Sequence, residues 1–151
     1  RQMFNILHRM AGGAAREVAS EYVQNKDFLD AVCAAASLVG WADGDLDQSE
    51  KTKTLSLIQN HPVLGKMYKA DVIEQTANTM FSRGKDKSGR QLLARELDDL
   101  KGKPNGSQMA EDVWLLASDI AGADGKMDPT EEEVLKKLAT RMGVDSSKFE
   151  F

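Results

Sequence analysis

Two nine-residue stretches hold the densest chemistry in this 151-residue chain. The first is Ala42-Asp43-Gly44-Asp45-Leu46-Asp47-Gln48-Ser49-Glu50, the second Ala123-Asp124-Gly125-Lys126-Met127-Asp128-Pro129-Thr130-Glu131. They superimpose at an offset of 81 residues, Asp43 on Asp124 and Glu50 on Glu131. The Ala, the first Asp, the Gly, the later Asp and the Glu are identical, and an apolar residue, Leu46 or Met127, sits between the acids. Carboxylates packed this closely repel one another at neutral pH. A hard cation with oxygen ligands, Ca²⁺ or Mg²⁺, relieves that repulsion. The candidate metal ligands are Asp43, Asp45, Asp47 and Glu50 in the first stretch and Asp124, Asp128 and Glu131 in the second.

The same residues fit a second use. Asp-Gly opens a tight turn because glycine accepts a positive φ. Asp47 and Asp128 are then helix N-caps, with Glu50 and Glu131 three residues on as capping-box partners and Pro129 at a first helical position. Each cap contributes about 1 kcal/mol without any ligand. Capping does not account for Asp43 and Asp124 ahead of the glycines. Caps alone, and caps plus a metal, both remain open at this point. An EF-hand is excluded: the glycine needed at its sixth position is Gln48, the glutamate at its twelfth is Thr54, and the second copy has Lys126 third.

The elements that must position these turns are helical. Apolar residues recur at helical spacing, as in Met109, Val113, Leu116 and Ile120, and period-two alternation is absent. Helices are expected over 3–24, 25–42 with Asn25 as cap, 48–60, 70–83, 87–100, 107–123 and 129–142, the last closed by Gly143. The repeat extends into them: Phe28 aligns with Met109, Val32 with Val113, Ala36 with Ala117 and Val39 with Ile120. The fold class is therefore all-α, a compact bundle of about seven helices containing a duplicated helix–acidic turn–helix hairpin, with helices 70–83 and 87–100 inserted between the copies. Residues 1–24 read as a separate amphipathic helix ahead of a helical domain over 25–151. Its stripe of Met3, Leu7, Met10 and Val18, flanked by Arg1, Arg9 and Arg16, is expected to dock on the bundle or a partner, with peripheral binding to a membrane surface as the lesser use.

Several function classes are excluded. The net charge of −4 and pI near 5.2 argue against nucleic acid as a partner. The single cysteine, Cys33, lies on an apolar helix face and reads as a buried thiol. The sequence contains no Gly-x-Ser-x-Gly elbow, phosphate-binding loop or dinucleotide fingerprint, so an enzyme reading lacks both nucleophile and substrate cradle. His61, before Pro62, reads as a loop residue. Trp41 and Trp114 read as core residues near the turns. Arg83, Lys85, Lys87, Arg90, Lys101 and Lys103 read as a solvated basic face, opposed to the acidic turns and suited to charged protein partners.

Two Ala-Asp-Gly-…-Glu turns at the ends of Ala-rich helices resemble the TerB family, the tellurite-resistance TerB-like domain. The likeness runs from about Asn25 to Phe151. It includes Asn25-Lys26-Asp27-Phe28, Ala31-Val32-Cys33-Ala34, both turns, and Met142-Gly143-Val144-Asp145 with Phe149. The same domain occurs in DnaJ-type co-chaperones and in phage and defence proteins. The resemblance implies a seven-helix bundle, a cytoplasmic location that extends peripherally to the inner membrane, and divalent-metal binding through Asp43, Glu50, Asp124 and Glu131. Asp45 and Lys126 stand where the family varies. The resemblance also implies a non-enzymatic role in tellurite, chemical-stress and phage responses, with a TerC-type membrane protein as partner. The alternative is a metal-free helical interaction or assembly domain, phage encoding included, whose acidic turns are only helix caps.

Overall fold

A computed structural model of the chain describes residues 26–123 and 125–150. The helix expected over 3–24, the cap at Asn25 and the Asp124 carboxylate lie outside them. Among the described residues there are seven α-helices and no strand: α1 Lys26–Gly40, α2 Gln48–Gln59, α3 Leu64–Met67, α4 Ala70–Arg83, α5 Lys87–Asp98, α6 Gly106–Ala121 and α7 Pro129–Met142, followed by a 3₁₀ turn Ser146–Phe149. None is long and apolar enough to cross a membrane.

The chain is built around α1. Ten of its fifteen residues are buried, from Phe28 and Leu29 to Val39. A helix apolar on nearly every side must be enclosed by others, and α1 packs against α2, α4, α5, α6 and α7. Its alanines at 31, 34, 35 and 36 let those neighbours approach closely. The one buried polar side chain on it, Ser37, donates to the Met80 carbonyl at 2.9 Å. The second all-round apolar helix is α6, which contributes Val113, Leu115, Leu116 and Ala117 to the interior.

The duplication is visible in the element boundaries. The helices that lead into the turns end at Gly40 and Ala121, and those that leave begin at Gln48 and Pro129, both pairs 81 residues apart. The expected helices ran two residues too far at 42 and 123. There the chain is already turning: the N–H of Gly44 bonds the Trp41 carbonyl at 2.8 Å, and that of Gly125 bonds Gly122 at 3.0 Å. Between the copies lie three helices rather than two. The four-residue α3 was invisible to periodicity, because one turn of helix offers no repeat to read.

Candidate metal centre

Each acidic turn is first a piece of backbone engineering. Gly44 has φ 91° and Gly125 φ 80°, in the left-handed region. A Cβ at either would meet nothing within 4 Å, so the glycine answers to backbone conformation and not to space. One oxygen of Asp43 accepts the N–H of Asp45 at 3.1 Å, closing the turn from the side-chain end. This is a structural use for Asp43 that capping logic did not supply.

The predicted capping boxes are both present. Asp47 Oδ1 accepts the N–H of Glu50 at 2.8 Å, and Glu50 Oε1 accepts the N–H of Asp47 at 3.3 Å. In the second turn Asp128 Oδ1 accepts the N–H groups of Thr130 and Glu131 at 2.8 and 3.2 Å, and the Thr130 hydroxyl as well. Glu131 Oε1 returns the bond to the Asp128 N–H at 3.3 Å. The Thr130 hydroxyl and then these amides favour the charged form, so the Asp128 carboxyl is held below the usual aspartate range.

The two turns border one cleft. It encloses about 230 Å³ and is floored by apolar residues of α1, α2 and α6, among them Val39, Leu57 and Ile120. Asp43 and Glu50 line it from the first turn, Asp128 and Glu131 from the second, and Lys53 of α2 from the side. Within the first turn Asp45, Asp47 and Glu50 each offer a carboxylate oxygen, all within 4.8 Å of one another and exposed. That separation matches the span across a cation bound at 2.3–2.6 Å. Asp47 and Glu50 each commit one oxygen to a backbone N–H, which leaves the other for a ligand. Among the described residues this is the one such cluster of three acids. Of its members, Glu50 is among the four ligands that the family resemblance implies, and Asp45 and Asp47 are among the acids clustered in the first stretch. Asp43, Asp128 and Glu131 stand in the wall of the adjoining cleft.

A family model described as "Tellurite resistance protein TerB" matches residues 29–151. The chain belongs to the TerB family. No curated protein and no solved structure matches it.

Other features of this TerB chain were only partly legible. Trp41, two residues before Asp43, donates its Nε1–H to the Phe81 carbonyl at 2.9 Å and lies so close to Gly84 that a Cβ there would come within 2.1 Å of the indole. The Lys51 ammonium stands 5.8 Å from the centre of that ring. The first turn is thereby pinned to the α4–α5 corner. This corrects the expected opposition of charges: the basic run begins at that corner, beside the acidic turn. It ends at Lys103, which pairs with Asp27 near the start of α1 at 2.7 Å. Arg83 is paired with Glu96 at 3.1 Å, and Arg90 donates to the Gly84 carbonyl.

Trp114 is not the counterpart of Trp41. It sits within α6, donates to the Leu135 carbonyl at 2.9 Å and stacks on Phe149 with ring centres 6.1 Å apart. His61 is in a loop as expected, yet it is buried. Its Nδ1 accepts the Val63 N–H at 3.3 Å, which leaves Nε2 to donate to Asp119 at 3.3 Å. No local spacing could reveal a partner 58 residues away. Cys33 is fully buried, and that burial, with Asp30 nearby, pushes its thiol well above the ordinary cysteine value.

Proposed function

We propose that this TerB chain is a non-enzymatic module that binds a divalent cation, Ca²⁺ or Mg²⁺, at its first acidic turn and presents the loaded turn to a protein partner. The observation that carries the reading is the approach of Asp45, Asp47 and Glu50 oxygens within 4.8 Å beside a cleft shared with the second turn. Asp45, Asp47 and Glu50 hold the ion. Asp43, Asp128 and Glu131 supply negative potential from the cleft and complete the cation's surroundings. The ion neutralises carboxylates that otherwise repel, so binding stiffens the turn and couples α1 to α2. In this proposal the module acts in tellurite, chemical-stress or phage-related responses, with a TerC-type membrane protein as the partner, met from the cytoplasmic side of the inner membrane; the match to the tellurite-resistance family supports the first of these responses.

The test is thermal unfolding in chelator and in millimolar calcium or magnesium, with Trp41 emission as a local reporter. An ion at one hundred times its dissociation constant adds about 2.7 kcal/mol to stability. Asp43→Asn keeps the oxygen that accepts the Asp45 N–H, and Asp45→Asn touches no cap. Both are expected to leave the melting temperature in chelator nearly unchanged and to reduce the ion-dependent increment, Asp45→Asn the more. A wild-type chain with no increment from calcium, magnesium, manganese or zinc refutes the metal.

The metal-free alternative has its own supporting observation. Both capping boxes are complete, and Asp43 has a backbone partner, so Asp43, Asp47, Glu50, Asp128 and Glu131 already have work in the apo turns. On that reading the turns are rigid corners of an interaction domain, and Asp43→Asn shifts the melting temperature equally with and without ion.

A further inference from the structure

A groove of about 310 Å³ runs on the far side of the second turn, between α6, α7 and the C-terminal 3₁₀ turn. Its walls are apolar: the stacked rings of Trp114 and Phe149, Met127 from the turn itself, and Leu135 of α7. Trp114, Met127 and Phe149 are only half-buried, so this surface stays partly wet in the described bundle. Its rim carries Glu132, Glu150 and one base, Lys136.

We propose that this groove is the seat of residues 1–24 of the same chain. Three arguments select that occupant. The segment repeats Met3, Leu7, Met10, Ala14, Val18 and Tyr22 at helical spacing and needs an apolar partner. Residues 1–16 carry Arg1, Arg9 and Arg16 and no acid, which complements a rim where Glu132 and Glu150 outnumber Lys136. The reach suffices. The Lys103–Asp27 pair places the start of α1 beside the connection into α6, and Trp114 is roughly 12 Å further along α6 at 1.5 Å per residue. A hollow nearer the start of α1, lined by Leu97, Leu100 and Met142, is disfavoured because its charged lining is Lys101 and Lys103 with no acid, whereas acids outnumber the single lysine of the groove. Seating the segment would bury the Trp114–Phe149 pair and make Met127 a contact between the acidic turn and the N-terminal residues.

Cross-linking in the full chain tests the seat. The native thiol is fully buried, so Met10→Cys with Met127→Cys provides two reactive positions for a short bismaleimide. An intramolecular link is expected as the main product. The control pairs Met10→Cys with Leu92→Cys, on the exposed face of α5, and is expected to give little. Equal linking in both pairs, no linking, or links mainly between chains each overturn the proposal, the last in favour of a second copy in the groove. An independent readout uses Leu7→Glu with Met10→Glu in single-tryptophan backgrounds. Trp114 emission (with Trp41→Phe) is expected to shift to the red, and Trp41 emission (with Trp114→Phe) to stay unchanged, at constant helical circular dichroism. An unmoved Trp114, or a shift confined to Trp41, places the segment elsewhere and also overturns the proposal. None of these measurements requires an ion, so they stand apart from the metal assignment.

Discussion

The two acidic turns share a backbone and differ in what hangs from it. Both have a left-handed glycine, an aspartate cap and a reciprocal glutamate. In the first turn Asp45 adds a third carboxylate to the cap pair, and Leu46 between them is buried. In the second, Lys126 stands at the position of Asp45, Met127 is half-buried, and the Thr130 hydroxyl joins the bonds on Asp128. The common frame is therefore a helix-to-helix corner, which two helices of a bundle need with or without a ligand. The cation proposal rests on what the first turn has in addition.

The largest expected contrast is in the apolar anchor. Leu46→Ala empties a buried site against Gly40 and is expected to cost about 3 kcal/mol. Met127→Ala removes a half-buried side chain and is expected to cost about 1 kcal/mol. Urea unfolding of both variants measures the difference, and equal costs would mean the turns are anchored alike.

Next comes the ion itself. Asp45→Asn is expected to abolish most of an increment of about 2.7 kcal/mol at one hundred times the dissociation constant. Lys126→Asp supplies the second turn with the carboxylate it lacks and is expected to raise divalent affinity or stoichiometry, read by calorimetric titration. If Lys126→Asp acts and Asp45→Asn does not, the first turn has been misassigned and the second is the centre.

The caps rank third. Asp47→Ala and Asp128→Ala are each expected to lose about 1 kcal/mol in chelator, with Asp128→Ala at the upper end because three donors converge on one oxygen. The turns are separate capping units, so the double variant is expected to be near-additive in the absence of ion. Strong non-additivity in chelator would show that the turns are coupled across the cleft without a cation.

The smallest effect is the response to acid. Asp128, like the caps Asp86 and Asp145, has a folded-state pKa below its unfolded value. Such a group stabilises the fold above the unfolded value, about pH 4, and that contribution is lost as pH falls through the lower folded value. Protection of the Thr130 and Glu131 amides, read as exchange relative to the intrinsic rate at each pH, is expected to fall below pH 4. Thr130→Val removes the foremost cause of the shift and is expected to move that loss of protection to higher pH.

Periodicity and turn chemistry carried most of the architecture. Four-residue spacings in α6, the Asp-x-x-Glu boxes and the glycine at 143 each reflect forces within one helix turn, so they can be read locally, and the structure places helices and caps there. The 81-residue offset was legible for the same reason: a repeated local pattern needs no knowledge of the fold. What failed were features lacking local periodicity or made by distant partners. The helix α3 is too short to show a period, and the His61–Asp119 pair joins the loop before it to α6. The basic run reads from spacing alone as an opposed pole, although Trp41 packed on Gly84 brings its start beside the acidic turn.

The sequence by itself determined that this chain makes helices, where they are capped, which residues form two equivalent acidic corners, and to which family the pattern belongs. Those follow from backbone geometry and side-chain spacing within a few residues. Only the tertiary structure decided that both corners border one cleft and that Trp41 and Trp114 sit in different surroundings. Those depend on how α1 and α6 pack, and packing is chosen by the whole set of buried side chains at once, which no nine-residue stretch contains.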